Sequence, residues 1–262
     1  MRDTVAWSPR EAAPVSSVDD ARASFAFTRF RRQWAALTGA AIGADKRRVV
    51  ERRLGPVMRA HDVSDLFELT LLLERNGNET LIEEAIDATS AAGFPSVITF
   101  SGLRKGMPDD VGLENTVAGL KTVIGHAERK RVTLCLEVLN SRIPTWMIGV
   151  PDYMCDSVEW AVEVCRRVGS PRLKVLFDIF HVQVMQGDLI TRIRQYHAYV
   201  GHYHTAGVPG RHEIDQTQEI NYPAVMRAIA ETGFAGYVAQ EFLPTRDPLA
   251  SLREAVKLCS VK

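Results

Sequence analysis

The sequence predicts an α/β fold, specifically a (β/α)8 or TIM barrel, and three observations support this. The chain has 262 residues, and one such barrel needs roughly 250. From Val97 onward, short β-rich runs alternate with helical stretches, and repeated β-α units form parallel sheets. The run Arg172–Gln183 contains an apolar strand, interrupted only by Lys174, that ends on Asp178. Acidic residues at the ends of buried parallel strands are typical of the active face of these barrels.

Five strands are predicted in the second part of the chain. Each is a short run rich in apolar or β-branched residues, and turn residues or helical patterns separate it from the next. The predicted strands are Val97–Phe100, Thr133–Leu136, Leu173–Phe177, Val200–His204 and Tyr237–Gln240.

Helices are predicted between these strands because apolar residues recur on one helical face. Asp156 with Glu159 is a helix-start signature, and Asp188 and Asp247 are predicted caps. The aperiodic segment Asn140–Tyr153 is too long for a simple turn and is predicted to be a lid over the site. The predicted helices lie at about 78–92, 113–130, 157–168, 189–196, 223–232 and 248–259, the last with the apolar stripe Leu249, Leu252, Val256 and Cys259.

Residues 1–75 differ in composition from residues 76–262. They contain 12 arginines and one lysine, whereas the second part contains 13 arginines and six lysines. The stretch Arg47–Arg59 is predicted to be a charged, solvated surface of helical character. Residues 1–75 are therefore predicted to be an atypical N-terminal segment, either a divergent start or a fused or frame-shifted stretch. The first three β-α units of the barrel stay unassigned.

Charge and cysteine content exclude several classes of partner. The formal net charge is zero, so there is no electrostatic reason to expect nucleic acid or an acidic membrane surface. Four cysteines without a CxxC pair predict reduced thiols. No apolar run approaches the roughly 18 residues of a membrane helix, and no signal peptide is evident. We expect a cytoplasmic protein that acts on a small molecule; a homo-oligomer stays open.

Four predicted strands end on a side chain that can bind a cation. These residues are Glu137, Asp178, His204 and Glu241. Strand ends of a barrel face one mouth, and three carboxylates that meet there need positive charge, which a divalent cation usually supplies. Mixed oxygen and nitrogen ligands suit Mg²⁺, Mn²⁺, Co²⁺ or Fe²⁺. His202 points to the same side of its strand as His204, so it stays open as an alternative ligand.

Several motifs of the second part occur together and in a fixed order. They are LEVLN (136–140), FDIFHVQ (177–183), GHYHTAGVPGRHE (201–213), EINYP (219–223) and QEFLPTRDP (240–248). From about Asn78 to Val261, the chain with these motifs resembles the hydroxypyruvate isomerase family, within the xylose isomerase-like TIM barrels.

This resemblance implies a role for each candidate residue. Glu137 and Glu241 would be the catalytic acid/base pair, and Asp178 and His204 would complete the metal site with them. The cofactor would be a divalent metal, Mg²⁺ or Mn²⁺. The implied substrate-binding residues are His181 and Arg211.

The implied activity is isomerisation of an α-hydroxy ketone and an aldehyde, either hydroxypyruvate and tartronate semialdehyde or a small sugar. Moving a proton between adjacent carbons requires a base, an acid and stabilisation of an enediolate. One alternative is a ketose 3-epimerase, but those enzymes have a second glutamate six residues after the first, where this chain has Ile143. Another is an inactive barrel remnant that serves as a binding module, which the unusual residues 1–75 favour.

Overall fold

The computed structural model describes residues 17–38, 42–60, 62–66, 68–70, 79–145 and 147–260. The chain divides into two compact units. The first contains residues 1–33 and 42–75, and the second contains residues 34–41 and 76–262.

The first unit is helical wherever it has regular structure in the described residues. Most of α1 (Ser17–Thr38) belongs to it, and a 3-10 turn at Ala44–Lys46 leads into α2 (Arg47–Ala60). None of the described side chains of α2 is buried, which confirms the predicted charged surface helix. The described residues of this unit supply none of the three strands that an eight-stranded barrel would need upstream.

The second unit contains a sheet of five parallel strands, in the order in which they occur along the chain. This confirms the predicted β-α repeat, although the described residues fall three strands short of a closed barrel. Within them, the first and last strands each have a single neighbour. The strands are β1 (Ser96–Thr99), β2 (Thr133–Glu137), β3 (Leu173–Asp178), β4 (Val200–Thr205) and β5 (Tyr237–Gln240).

Seven helices accompany these strands in the described part of the second unit: α3 (Glu79–Ala91), α4 (Asp109–Lys130), α5 (Val158–Val168), α6 (Ile179–Met185), α7 (Leu189–Tyr196), α8 (Tyr222–Glu231) and α9 (Pro248–Cys259). The sequence analysis missed α6, which starts directly after β3. It forms there because the Asp178 carboxylate accepts a hydrogen bond from the His181 backbone N–H at 2.9 Å and so caps the helix.

The three predicted helix starts have different outcomes, and the one at Asp156 is wrong by one residue. Ser157 caps α5, whereas the Asp156 carboxylate instead binds Arg104 and the Ser141 hydroxyl. Asp188 occupies the predicted N-cap position of α7, but its backbone lies in the left-handed region at φ 49° and its side chain makes no capping hydrogen bond. The third prediction is confirmed, since Asp247 accepts a hydrogen bond from the Ala250 backbone N–H and caps α9.

The core surrounds the inner strands and thins out towards β5. Leu176 and Phe177 of β3 are completely buried. In contrast, Leu249, Leu252 and Val256 of α9 are exposed, and this helix buries Ser251 and Ala255 instead. An apolar stripe normally faces the core. In a closed barrel the last helix also covers the first strand, and the described residues include no strand there.

The four cysteines are free thiols, as predicted. Within the described residues, no helix combines the length and apolar content required to cross a membrane.

Candidate active site

Four side chains converge at the carboxyl end of the sheet. They are Glu137 at the end of β2, Asp178 at the end of β3, His204 near the end of β4, and Glu241 just after β5. Each offers one potential ligand atom, and these atoms all lie within 4.8 Å of one another. The strand register explains the convergence, because Asp178 pairs directly with His204 and the Glu241 backbone N–H extends the ladder to the Thr205 carbonyl. The structure therefore brings together the four residues that the sequence singled out.

His204 lies between the three carboxylates. Its Nδ1 is 2.8 Å from Glu241 Oε2, 3.2 Å from Glu137 Oε1 and 3.7 Å from Asp178 Oδ2. Burial alone would lower the pKa of His204, but its hydrogen bonds to the three carboxylates outweigh burial and raise the pKa above its ordinary value. In the absence of a cation, a protonated imidazole would therefore offset part of the negative charge at this position.

Two of the carboxyl groups are buried but differ in their affinity for protons. Burial raises the pKa of Glu137 to about 7, and the negative charge of Asp178 adds to this effect. Burial also acts to raise the pKa of Asp178, but His181, His204 and Arg211 together lower it below its ordinary value. A carboxyl group that titrates near neutrality beside one that stays ionised is the arrangement that acid-base chemistry needs.

Arg211 supplies a second positive charge to the cluster. Its Nη2 donates to Glu241 Oε2 at 2.5 Å and to Asp178 Oδ2 at 3.4 Å, and its Nη1 donates to the Met147 carbonyl at 2.6 Å. The guanidinium was predicted to bind substrate, and it does lie in the site. It is nevertheless already engaged by two acidic side chains, so a substrate oxygen would have to share or replace those contacts.

His181, the other predicted substrate contact, is buried in α6. Its Nδ1 accepts hydrogen bonds from the Asn140 backbone N–H at 3.1 Å and from Asn140 Nδ2 at 2.7 Å. Its Nε2 has no hydrogen-bond partner among the described residues and is 3.8 Å from Asp178 Oδ2. Burial lowers the pKa of His181 to about 4, so the ring is neutral near pH 7. The sequence analysis did not single out Asn140, although it closes the LEVLN motif.

His202 was left open as a metal ligand, and its position argues for His204. The two rings meet edge to face with centroids 5.1 Å apart. Only His204 belongs to the cluster of potential ligand atoms found in the described residues.

The predicted lid begins beside the site. The Asn140 side chain binds the backbone of Ile143 and Ile148, and Met147 contacts Arg211. Tyr153, at the far end of this segment, is fully buried and donates its hydroxyl proton to the Glu137 carbonyl at 3.2 Å. The segment is therefore connected to both predicted substrate contacts through its own hydrogen bonds.

Comparisons with known proteins agree with this picture. A model of the xylose isomerase-like TIM barrel family matches residues 72–259. A human protein named putative hydroxypyruvate isomerase is 31% identical over 180 residues, which are 65% of this chain and 62% of the human protein. A 2-oxo-tetronate isomerase from Cupriavidus necator is 28% identical over 172 residues, 65% of this chain and 64% of that protein. The resemblance to hydroxypyruvate isomerases predicted from the motifs is confirmed.

A solved structure shares the fold. The crystal structure titled AP endonuclease, family 2, from Brucella melitensis superposes with a TM-score of 0.61 at 25% identity and covers 70% of each chain. The similarity to the curated relatives spans less than two thirds of their own length.

Proposed function

Because the chain belongs to the xylose isomerase-like TIM barrel family, we propose that it is a divalent-metal-dependent isomerase of α-hydroxy carbonyl compounds. It would interconvert an α-hydroxy ketone and an aldehyde, such as hydroxypyruvate and tartronate semialdehyde. The observation that carries this proposal is the convergence of three carboxylates and one imidazole within 4.8 Å at the carboxyl end of the sheet. The isomerase names of the human and Cupriavidus necator relatives support it.

The side chains of this cluster fit a divalent cation. Glu137, Asp178, His204 and Glu241 would hold it, and a set of carboxylate oxygens with one imidazole nitrogen suits Mg²⁺ or Mn²⁺. When bound, the cation would act as a Lewis acid towards the two adjacent substrate oxygens. The short contacts of His204 Nδ1 to the carboxylates indicate that the cluster needs positive charge.

Glu137 and Glu241 would move the proton. Glu137 ends strand β2 and Glu241 follows strand β5, with two strands between them, so they would approach a substrate from different sides. One carboxylate removes the proton from the hydroxyl-bearing carbon, and the electron pair of that C–H bond forms the C=C bond of an enediolate. The other carboxyl group protonates the neighbouring carbon, while the hydroxyl proton passes to the former carbonyl oxygen. Without a bound cation the pKa of Glu137 is about 7, which is within the range that suits a catalytic acid or base.

His181 and Arg211 would orient the substrate. His181 Nε2 and Arg211 Nε are buried, and neither has a hydrogen-bond partner among the described residues. Both are nitrogen donors, so oxygens of the substrate are suitable acceptors. A guanidinium can also bind a carboxylate group such as that of hydroxypyruvate through two nitrogens, provided that the carboxylate replaces present contacts of Arg211 Nη1 and Nη2.

The epimerase alternative is weaker. At the position where the ketose 3-epimerases have a second glutamate, Ile143 packs against the hydrophobic core. A DNA-repair nuclease is also disfavoured, because the chain has no net positive charge and the described residues contain one cluster of four ligands.

One observation favours the alternative of an inactive binding module: the described residues contain only five of the eight strands of a barrel. The first experiment treats the purified chain with chelator and then measures its melting temperature with and without Mn²⁺ or Mg²⁺. We expect a metal-dependent rise in wild type that is smaller in Glu241→Gln, because a ligand that binds only the folded state stabilises it. Glu219→Gln, an exposed change outside the cluster, is the matched control.

The same preparations then separate the two functions. Isomerisation of hydroxypyruvate and of 2-oxo-tetronate is followed by chromatography with each metal. Metal-dependent turnover supports the isomerase. A metal-dependent melting shift without turnover of either substrate favours the binding module, and a melt that responds to neither chelator nor metal contradicts the proposed site.

A further inference from the structure

We propose that Asn140 is a positioning residue that holds His181 as the Nε2–H tautomer, so that a neutral N–H donor faces the substrate. The identity of the acceptor rests on the proposed function. The tautomer itself does not, because it follows from hydrogen bonds within the protein.

The first step concerns the two nitrogens of His181. Nδ1 receives the Asn140 backbone N–H at 3.1 Å and the Asn140 Nδ2 amide at 2.7 Å. A backbone N–H can only donate, so Nδ1 must present its lone pair. In a neutral imidazole the proton then resides on Nε2.

The second step is the orientation of the Asn140 amide, whose oxygen and nitrogen could be exchanged in principle. Nδ2 also donates to the Ile148 carbonyl at 2.7 Å, and Oδ1 accepts the Ile143 backbone N–H at 3.1 Å. If the amide were flipped, its oxygen would face the Ile148 carbonyl oxygen and its NH₂ group would face the Ile143 backbone N–H. Neither pair can form a hydrogen bond. The lid therefore fixes the amide, and the amide reinforces the tautomer of His181.

Gly149 allows this approach. A Cβ atom built there would lie 2.3 Å from the Ile143 carbonyl oxygen and 2.5 Å from Asn140 Oδ1. Any other residue would displace the hydrogen bonds that orient the amide. The arrangement of Asn140, Ile143 and Ile148 thus depends on a glycine at this point of the lid.

The third step concerns the free end of the ring. His181 is only 1% exposed, and its Nε2 has no partner among the described residues, because the Asp178 carboxylate is 3.8 Å away. Buried donors normally make a hydrogen bond, so we expect Nε2–H of His181 to donate to an acceptor atom of a ligand. Next to Asp178 and Arg211, that acceptor would be a carbonyl or hydroxyl oxygen of the substrate.

The test begins with a spectroscopic measurement that needs no substrate. The full chain is labelled with ¹⁵N-histidine, and His181 is assigned by the resonances that disappear in His181→Asn. We expect a pyridine-type, unprotonated Nδ1 and a pyrrole-type Nε2 that carries a proton. A protonated Nδ1, or a ring protonated on both nitrogens near pH 7, would overturn the proposal.

The second measurement uses Asn140→Asp, which places a carboxylate beside Nδ1. A carboxylate oxygen accepts a hydrogen bond and favours a proton on Nδ1, in competition with the backbone N–H of residue 140, so the Nδ1 resonance should shift towards that of a protonated nitrogen. In an active enzyme kcat should fall about 10- to 100-fold, the size of effect found for groups that orient metal-bound histidines. Asn221→Asp is the matched control, because Asn221 caps α8 away from the cluster and aspartate caps equally well.

The outcomes separate the two proposals. If Asn140→Asp folds but leaves the Nδ1 resonance of His181 unchanged, the side chain of Asn140 does not act on the tautomer, the backbone N–H alone does, and the inference fails. If no isomerase activity is found, the ¹⁵N spectra still decide the role of Asn140, and only the proposed function is lost. Should Asn140→Asp not fold, the wild-type spectrum alone decides.

Discussion

The inner strands and the last strand of the sheet carry comparable site residues but bury them differently. The side chains of Glu137, Asp178 and His204, on β2 to β4, are at most 5% exposed, whereas that of Glu241, after β5, is 45% exposed. An inner strand has a neighbour on each side, but β5 has a single neighbour in the described part of the chain. Position in the sheet, more than residue type, therefore decides how strongly each acidic group is shielded from water.

The apolar residues show the same difference. Phe177 of β3 is completely buried, but Tyr237 of β5 is 63% exposed. Most of the apolar stripe of α9 is also exposed. Burial of apolar surface stabilises the fold in proportion to area. The inner strands should thus contribute most of the stability of the second unit, while the β5–α9 edge contributes little.

The largest effect is expected from Glu137 and Glu241, the proposed catalytic pair. Glu137→Gln and Glu241→Gln should each lower kcat by about 10²- to 10⁴-fold, the usual contribution of a positioned acid or base. The effect should be large at both positions in spite of their different burial, because proton transfer depends on position relative to the substrate. Steady-state kinetics with the preferred metal tests this, with Glu219→Gln as control. Near-normal turnover in either variant would remove that glutamate from the mechanism.

The next prediction compares two aromatic residues. Phe177→Ala should lower the free energy of unfolding by about 3–5 kcal/mol, because it leaves a cavity in the core. Tyr237→Ala should change it by only about 0.5 kcal/mol, as is usual for exposed positions. Urea unfolding of the full chain measures both. A loss at Tyr237 as large as that at Phe177 would show that the β5 edge is covered in solution.

The pH dependence of stability should reveal the buried carboxyl of Glu137. Its pKa is raised from 4.5 to about 7, so between these pH values the folded state holds a proton that the unfolded state has lost. Stability from this group therefore falls as the pH rises through that window, by at most about 3 kcal/mol. In chelated protein, the stability of Glu137→Gln relative to wild type should rise between pH 4.5 and 7. A constant difference across this range would mean that Glu137 titrates as an ordinary glutamate.

The sequence predicted the strands and their end residues well for one physical reason. A strand inside a parallel sheet is buried on both faces, so its sequence is a short run of apolar residues that can be recognised without knowledge of its neighbours. The polar residue that ends such a run can be identified in the same way. Glu137, Asp178 and His204 were found in this way, whereas Glu241 was found as the residue at the same place in the next strand-helix unit, although β5 is less buried. The location of α6 was missed because Asp178 serves both as a site residue and as the cap of the following helix.

The features that the sequence did not predict depend on contacts between residues far apart in the chain. The pairing of Arg211 with Glu241 and the bonds of Asn140 to His181 join residues that are 30 and 41 positions apart. No local pattern encodes such contacts. The apolar stripe of α9 was recognised from the spacing of its residues. That spacing could not show whether a strand packs against the stripe.

The smallest effect is expected on α9, where the two faces of one helix can be compared directly. Leu252→Lys and Val256→Lys should each change the free energy of unfolding by only about 0.5 kcal/mol, because both side chains are already exposed. Ala255→Lys, on the buried face of the same helix, should destabilise far more, since the charge loses its water. Denaturant unfolding gives the three values, and light scattering gives the mass of each variant. If Leu252→Lys proves as damaging as Ala255→Lys and also lowers the mass, a second copy of the chain covers this face; otherwise the edge of the sheet is open in solution.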